Sequence, residues 1–234
     1  GLVERVARAI ALDARAAGAG ILLSRGMNIM RPPLGARNLE YFSEDPLLTG
    51  ELATAFVRGT QSAGVSACVK HFAANNQETD RMRVSADVDE RALREIYLPA
   101  FERVVTRAQP DVVMAAYNRL NGVYASQNPW LLQTVLRDEW GFDGVVISDW
   151  GAVDDRVAAL VAGLDLEMPS SSGASDALVV QAVADDRVPE SAVRDAAGRV
   201  AGLARAQAAR ALEAAEPLTA GDADTLGHEA AERG

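Results

Sequence analysis

Short apolar runs of strand length alternate with helix-patterned stretches along most of this chain, and that alternation limits the folds open to it more than any other feature. The runs are GILLSRGMNI (20–29), SACVKHF (66–72), DVVMAAY (111–117), GVVIS (144–148) and LDLEM (164–168). Between them lie patterns of three- and four-residue apolar spacing, over 46–63, 89–107, from Asn128-Pro129 to about Trp140, and over 152–162. Further helical patterns cover 174–184 and 189–212, and the first residues read as an amphipathic helix. Strands that are apolar throughout are covered on both faces, so the alternation predicts a parallel sheet wrapped by helices. The expected fold class is α/β, a (β/α)8 TIM-type barrel that is incomplete, with parallel strands and outer helices. A doubly wound open sheet is the structural alternative, but no G-x-G-x-x-G follows any strand.

Local signals refine this outline. Asp87 followed by Glu90 suggests a capping box for the 89–107 helix, and Pro99 predicts a kink within it. Asn121-Gly122 marks a tight turn. The chain opens without Met and without a strand before its first helix, so it is expected to be a segment that lacks its natural N-terminus. Residues 1–212 are expected to form a partial barrel, and 213–234 an acidic linker.

Charge and cysteine content exclude some functions. The net charge is −10, and half of it arises in residues 213–234, where six acids face one arginine. The acidity marks a solvated tail, and no basic stripe exists for nucleic acid. No run of about 18 apolar residues is present, so no membrane span is expected. The single cysteine, Cys68, lies mid-strand and reads as a small buried apolar residue. Cysteine usage suits a reducing compartment, which favours a cytoplasmic location, with secretion as the alternative. Arginine almost entirely replaces lysine, and the one lysine, Lys70, directly precedes His71, one of two histidines.

Polar residues collect where the strands end: Arg25 and Asn28 with Arg31 and Arg37 beyond, Lys70-His71, Tyr117-Asn118, Asp149-Trp150 and Glu167. In a barrel all of these lie on the C-terminal face, where barrel enzymes keep their active sites. A carboxylate there, near a lysine and several arginines, is expected to be ionised because opposite charges lower its pKa. Such a group is a candidate nucleophile or cation stabiliser. Trp150 offers a flat face for the C–H side of a sugar ring, and Arg37, Lys70, His71 and Arg81 supply donors for hydroxyls. Each residue taken singly has a structural reading, as cap, ion pair or packing. Their recurrence at successive strand ends favours a sugar pocket.

Four motifs carry a resemblance. RPPLGARNLEYFSEDPLLTG (31–50), VKHFAANNQETDR (69–81), MAAYNRLNG (114–122) and GFDGVVISDWGAV (141–153) together resemble glycoside hydrolase family 3 of the β-glucosidase type, over residues 20 to 185. The resemblance implies that Asp149 is the nucleophile of a retaining exo-β-glucosidase acting on terminal non-reducing β-D-glucosyl residues. It implies that Arg37, Lys70, His71, Arg81, Tyr117, Met114 and Trp150 line the substrate pocket, whereas Asp165 and Glu167 rank as structural. Retaining hydrolysis would pass through a covalent glycosyl-enzyme on Asp149, with a second carboxylic acid about 5–5.5 Å away as acid and base. No metal or organic cofactor is required, and the substrate is a β-glucoside or oligosaccharide. In the family that second acid lies in an α/β domain after the barrel, so 213–234 is expected to lead to a second domain of the same chain. A family aspartate that grips glucose hydroxyls belongs to N-terminal strands that are also expected to be missing. The loop AANNQETDR holds no histidine, which argues against the N-acetylglucosaminidase branch.

Other readings stay open at this point. The glycone could be xylose, the fragment could be a non-catalytic sugar-binding remnant, or Lys70 could form a Schiff base in a lyase.

Overall fold

The computed structural model describes residues 1–35, 37–212 and 219–233. Helix α1 (Leu2–Ala16) precedes strand β1 (Ile21–Leu22) and helix α2 (Pro46–Ser62). Strands β2 (Ser66–Phe72) and β3 (Ser85–Ala86) follow, then helix α3 (Glu90–Ala92), a π-helical segment (Leu93–Tyr97) and helix α4 (Pro99–Ala108). Next come β4 (Val112–Ala115), β5 (Arg119–Leu120), β6 (Val123–Tyr124) and a second π-helical segment (Trp130–Glu139). The chain continues through β7 (Val145–Ser148), α5 (Arg156–Ala162), α6 (Ala174–Ala184), α7 (Glu190–Ala211) and α8 (Ala220–Arg233).

The main sheet runs β1-β2-β4-β7 and is parallel throughout. Sequential order with every strand parallel is an arc of a TIM-type barrel, and the arc is not closed among the described residues. Successive side chains point to opposite faces. Ala67, Val69, Val113, Ala115 and Val146 join the main core with Val57, Phe101 and Leu131 from the flanking helices. Cys68, Val112, Met114, Val145 and Ile147 form the other face, capped by Met168 and by Val200 and Leu203 of α7. Burial raises the Cys68 thiol to about 12, so it is inert packing.

Two expected strands are shorter than their apolar runs. The 20–29 run keeps only Ile21–Leu22 and a bridge from Gly26 to Lys70. The 164–168 run is reduced to a single parallel bridge between Ile147 and Leu166. The expected helix at 152–162 begins only at Arg156, because Asp155 accepts from the backbone N–H of Val157 and Ala158 and caps it there. Asp87 does not cap the 89–107 helix. Asp89 does, accepting from Ala92 N at 3.0 Å, while Asp87 takes the Ser85 hydroxyl. Pro99 has no N–H and would crowd the carbonyl four residues back, and the turn before it widens so that Leu98 N donates to Leu93 O at 2.8 Å. Asn121 and Gly122 both take positive φ and close the β5–β6 hairpin. Of the stretch expected to be a linker, 213–218 lies outside the described residues. The remainder includes α8, whose Glu229 pairs with Arg5 of α1 at 2.7 Å.

Asp165 ties the sheet to its cover. It is 5% exposed, accepts from Val146 N at 2.8 Å, and pairs with Arg137 and Arg199, each at 2.8 Å. Removing one partner of a buried pair leaves uncompensated charge, which costs about 3–5 kcal/mol. Asp165→Ala should therefore lose about that much stability in urea unfolding, because two guanidinium groups and one backbone N–H lose their acceptor at once.

Candidate active site

Strand β7 delivers Asp149 to the C-terminal edge of the sheet, and Asp149 N donates to Ala115 O at 3.1 Å, one step beyond the β4–β7 ladder. The side chain is buried. Its Oδ1 accepts from Trp150 N at 2.7 Å, and its Oδ2 has no well-formed hydrogen bond among the described residues. One carboxylate oxygen is thus fixed and the other keeps its lone pairs.

Strand β2 brings His71 to the same edge. The imidazole is 1% exposed, its Nε2 2.9 Å from Arg37 Nη2 and 3.5 Å from Asp149 Oδ2. Burial lowers the His71 pKa to about 2, helped by the positive charges of Arg37, Lys70 and Arg81. The ring is therefore neutral. The approach to Asp149 meets the distance of an ion pair but carries no formal attraction of charges. Because a guanidinium can only donate, Nε2 is the acceptor and the proton sits on Nδ1.

Arg37 and Lys70 are cross-braced by one carboxylate. Glu40, on a single 3₁₀ turn (Asn38–Glu40), bonds the Arg37 guanidinium and lies 3.6 Å from Lys70 Nζ. Sequence reasoning passed over Glu40, although its position three residues after Arg37 is the spacing at which one helical turn brings side chains together. Gly26 leaves room beneath the Tyr41 ring next to this brace, where a Cβ would collide with the ring. Arg81 donates to Glu78 at 3.1 Å, and its guanidinium lies 5.2 Å from the centroid of the Tyr117 ring. Burial, and then the charge of Asp149, raises the Tyr117 phenol.

The structure therefore brings Asp149, His71, Arg37, Lys70, Arg81 and Tyr117 to one edge. Trp150 stands beside them with half its surface exposed, at 51%. Met114 departs from the expected lining, because it is buried in the apolar cluster beneath the edge. Asp165 and Glu167 are held in bonds of their own, Asp165 by Arg137 and Arg199 and Glu167 by Ser175 and Arg156. A cavity of about 850 Å³ is lined by Arg31, Asn75, Glu78, Tyr97 and Asn118, and does not include Asp149. A smaller one of about 110 Å³ lies between Tyr117, Tyr124, Gly151 and Asp154. The convergence of charged and hydrogen-bonding groups, and not volume, singles out the Asp149 edge.

This arrangement belongs with a match in sequence. The profile of the glycosyl hydrolase family 3 N terminal domain covers residues 1–203. The chain belongs to glycosyl hydrolase family 3. It is 55% identical over 199 residues to thermostable beta-glucosidase B of Acetivibrio thermocellus, spanning 85% of this chain and 26% of that relative. It is 51% identical over 213 residues to exo-alpha-(1->6)-L-arabinopyranosidase of Bifidobacterium longum, spanning 91% of this chain and 28% of that relative. Among solved structures, the GH3 beta-glucosidase of Bifidobacterium adolescentis matches with a TM-score of 0.92 and 49% identity, over 98% of this chain and 34% of that one. Beta-glucosidase 3B of Thermotoga neapolitana, in complex with alpha-D-glucose, matches with a TM-score of 0.92 and 43% identity, over 98% and 33%. The chain thus spans about a quarter of the curated relatives' length and a third of the solved neighbours'. No helix among the described residues is long and apolar enough to cross a membrane.

The neutral His71 sets a pH dependence. The folded protein resists the proton that the unfolded chain accepts near pH 6.5, so the unfolded state binds more protons between pH 6.5 and about 2. Stability should fall as pH drops through that window. Histidine-selective NMR should show the His71 ring still neutral at pH 4, where an exposed histidine is fully protonated.

Proposed function

We propose that this chain supplies the nucleophile and part of the glycone pocket of a retaining exo-β-glycosidase acting on terminal β-D-glucosyl residues. The observation that carries this reading is the buried Asp149 carboxylate, one oxygen pinned by Trp150 N–H and the other uncommitted, facing neutral His71 inside a ring of paired cations. Oδ2 attacks the anomeric carbon, the glycosidic C–O bond breaks, and a glycosyl ester forms on Asp149. A second carboxylic acid protonates the departing oxygen, then takes a proton from the water that cleaves the ester. By the family resemblance, that acid comes from a second α/β domain of the whole protein.

Arg37, Lys70 and Arg81 can only donate, so they suit the lone pairs of ring hydroxyls, and His71 Nε2 accepts from Arg37 beside them. Hydrogen bonds that tighten as the ring flattens lower the barrier, whereas those equal in both states lower only KM. Trp150, half exposed, offers a flat face on which a sugar ring would stack. The Lys70 Schiff base is disfavoured, because Nζ is ion-paired with Glu40 and the edge around it is built for an ammonium donor. Identity of 51% to a relative named for L-arabinopyranosides favours a second reading, in which the pocket takes that pentopyranose in place of glucose. The ratio of kcat/KM for 4-nitrophenyl β-D-glucopyranoside and α-L-arabinopyranoside decides between them.

The test of the mechanism is intact-mass and peptide analysis of the whole protein after incubation with 2,4-dinitrophenyl 2-deoxy-2-fluoro-β-glucoside, a substrate whose leaving group needs no acid. A stoichiometric adduct on Asp149, absent in Asp149→Asn, is expected. A protein that binds glucose and never takes the label would overturn the nucleophile assignment and favour a non-catalytic sugar-binding remnant. Arg37→Ala and Lys70→Ala each remove a charged hydrogen bond of about 1.5–3 kcal/mol. Each should lower kcat/KM by roughly 10- to 150-fold.

A further inference from the structure

We infer that Asn28 is a positioning residue for His71, and that the imidazole is aimed through its backbone as well as through its ring. The consequence for catalysis rests on the sugar-pocket reading above. Beyond β1 the backbone pairing to β2 ends at Lys70: Gly26 bridges to Lys70, and Met27 N donates to Lys70 O at 2.7 Å. At the next residue a side chain takes over the ladder. Asn28 Oδ1 accepts from His71 N at 3.0 Å, and Asn28 Nδ2 donates to His71 O at 2.9 Å. A carboxamide carries one acceptor and one donor in a plane, so it reproduces the two bonds of a neighbouring strand. Asn28 is 3% exposed and His71 is 1% exposed, so water cannot replace either bond without cost.

The ring itself is held at one nitrogen only, where Nε2 accepts from Arg37 at 2.9 Å. A functional histidine usually has its reactive nitrogen set by a hydrogen bond to the other one. Here Nδ1 has no partner among the described residues, and Nε2 faces Arg37 and Asp149. The direction of Nε2 therefore depends on two supports, the Arg37 guanidinium at the ring and Asn28 at the His71 peptide. Asparagine alone among residues of that size satisfies both ends. Aspartate would set an oxygen against the His71 carbonyl, and leucine matches the shape with no bond at all.

The experiment is a double-mutant cycle in the whole protein, with Asn28→Leu and Asn28→Asp made alone and with His71→Ala. Displacing an aimed group by about 1 Å costs up to about 10²-fold, so Asn28→Leu should lower kcat/KM on 4-nitrophenyl β-D-glucopyranoside by roughly 10- to 100-fold. In the His71→Ala background the same change should cost less than about threefold, because the group it aims is gone. Equal losses in both backgrounds would show a general structural role and overturn the inference. Asn28→Asp keeps the shape and one bond and carries the same cycle if the leucine variant does not fold. If His71→Ala itself leaves kcat/KM unchanged, the sugar-pocket reading fails instead. The clamp is then decided by the crystal structure of Asn28→Asp, where a displaced His71 ring supports it and an unmoved ring overturns it.

Discussion

The parallel ladder of β2, β4 and β7 is the constraint on which the rest of this structure depends. Its register sets Cys68 against Val112, Val112 against Val145, and Ala115 against Ser148, so the strands run out at one edge together. Because both faces of the ladder are buried, sliding one strand by a residue would exchange its two apolar sets and strand them on the wrong sides. The edge therefore cannot drift, and whatever follows each strand is delivered to a fixed place. His71 and Asp149 come from strands that are not neighbours, yet their reactive atoms end 3.5 Å apart.

That meeting point has an electrostatic logic. Three cationic side chains and one carboxylate crowd a buried histidine, and a second proton there would add charge where burial disfavours it. Keeping His71 neutral resolves the conflict and leaves Asp149 as the negative group facing the cations. Glu40 then matters as much as the residues that face the edge. It balances Arg37 and Lys70 and holds both in line, and long cationic side chains lose much rotamer freedom when fixed.

The parts of this architecture that were legible in the sequence were those fixed by local chemistry. Val112–Ala115 and Val145–Ser148 are strands because β-branched residues fill both faces of a pleat, and α2 starts where Asp45 caps and Pro46 presets φ. The strand-end residues Lys70, His71, Tyr117 and Asp149 could be placed on one edge because strand ends in a parallel sheet share a side. What stayed hidden depended on tertiary partners. LDLEM has the composition of a strand, but Asp165 turns inward to Arg137 and Arg199, and only Leu166 is left to bridge. Asp87 and Asp89 look equally able to cap, and the choice falls to Asp89 because Ser85 already occupies Asp87. Met114 alternates onto the apolar face by pleat alone, so its burial could have been predicted from period two without reference to any pocket.

The same edge shows how a sheet can end without losing its order. A strand that simply stopped would leave buried N–H and C=O groups unpaired, and each would cost about 1–3 kcal/mol. Here side chains take over where the backbones diverge. Asn28 pairs the His71 peptide, and Asn118 Nδ2 reaches Ala73 O at 3.2 Å. The Ser148 hydroxyl accepts from Met168 N at 2.8 Å, immediately before Asp149. Each substitution frees the main chain to turn out of the sheet while its neighbour stays fixed. An enzyme edge needs both properties, because strands in strict register place their side chains alternately up and down, and few would converge on one substrate. Short polar residues at ladder ends are therefore as much a signature of the site as the charged groups they hold.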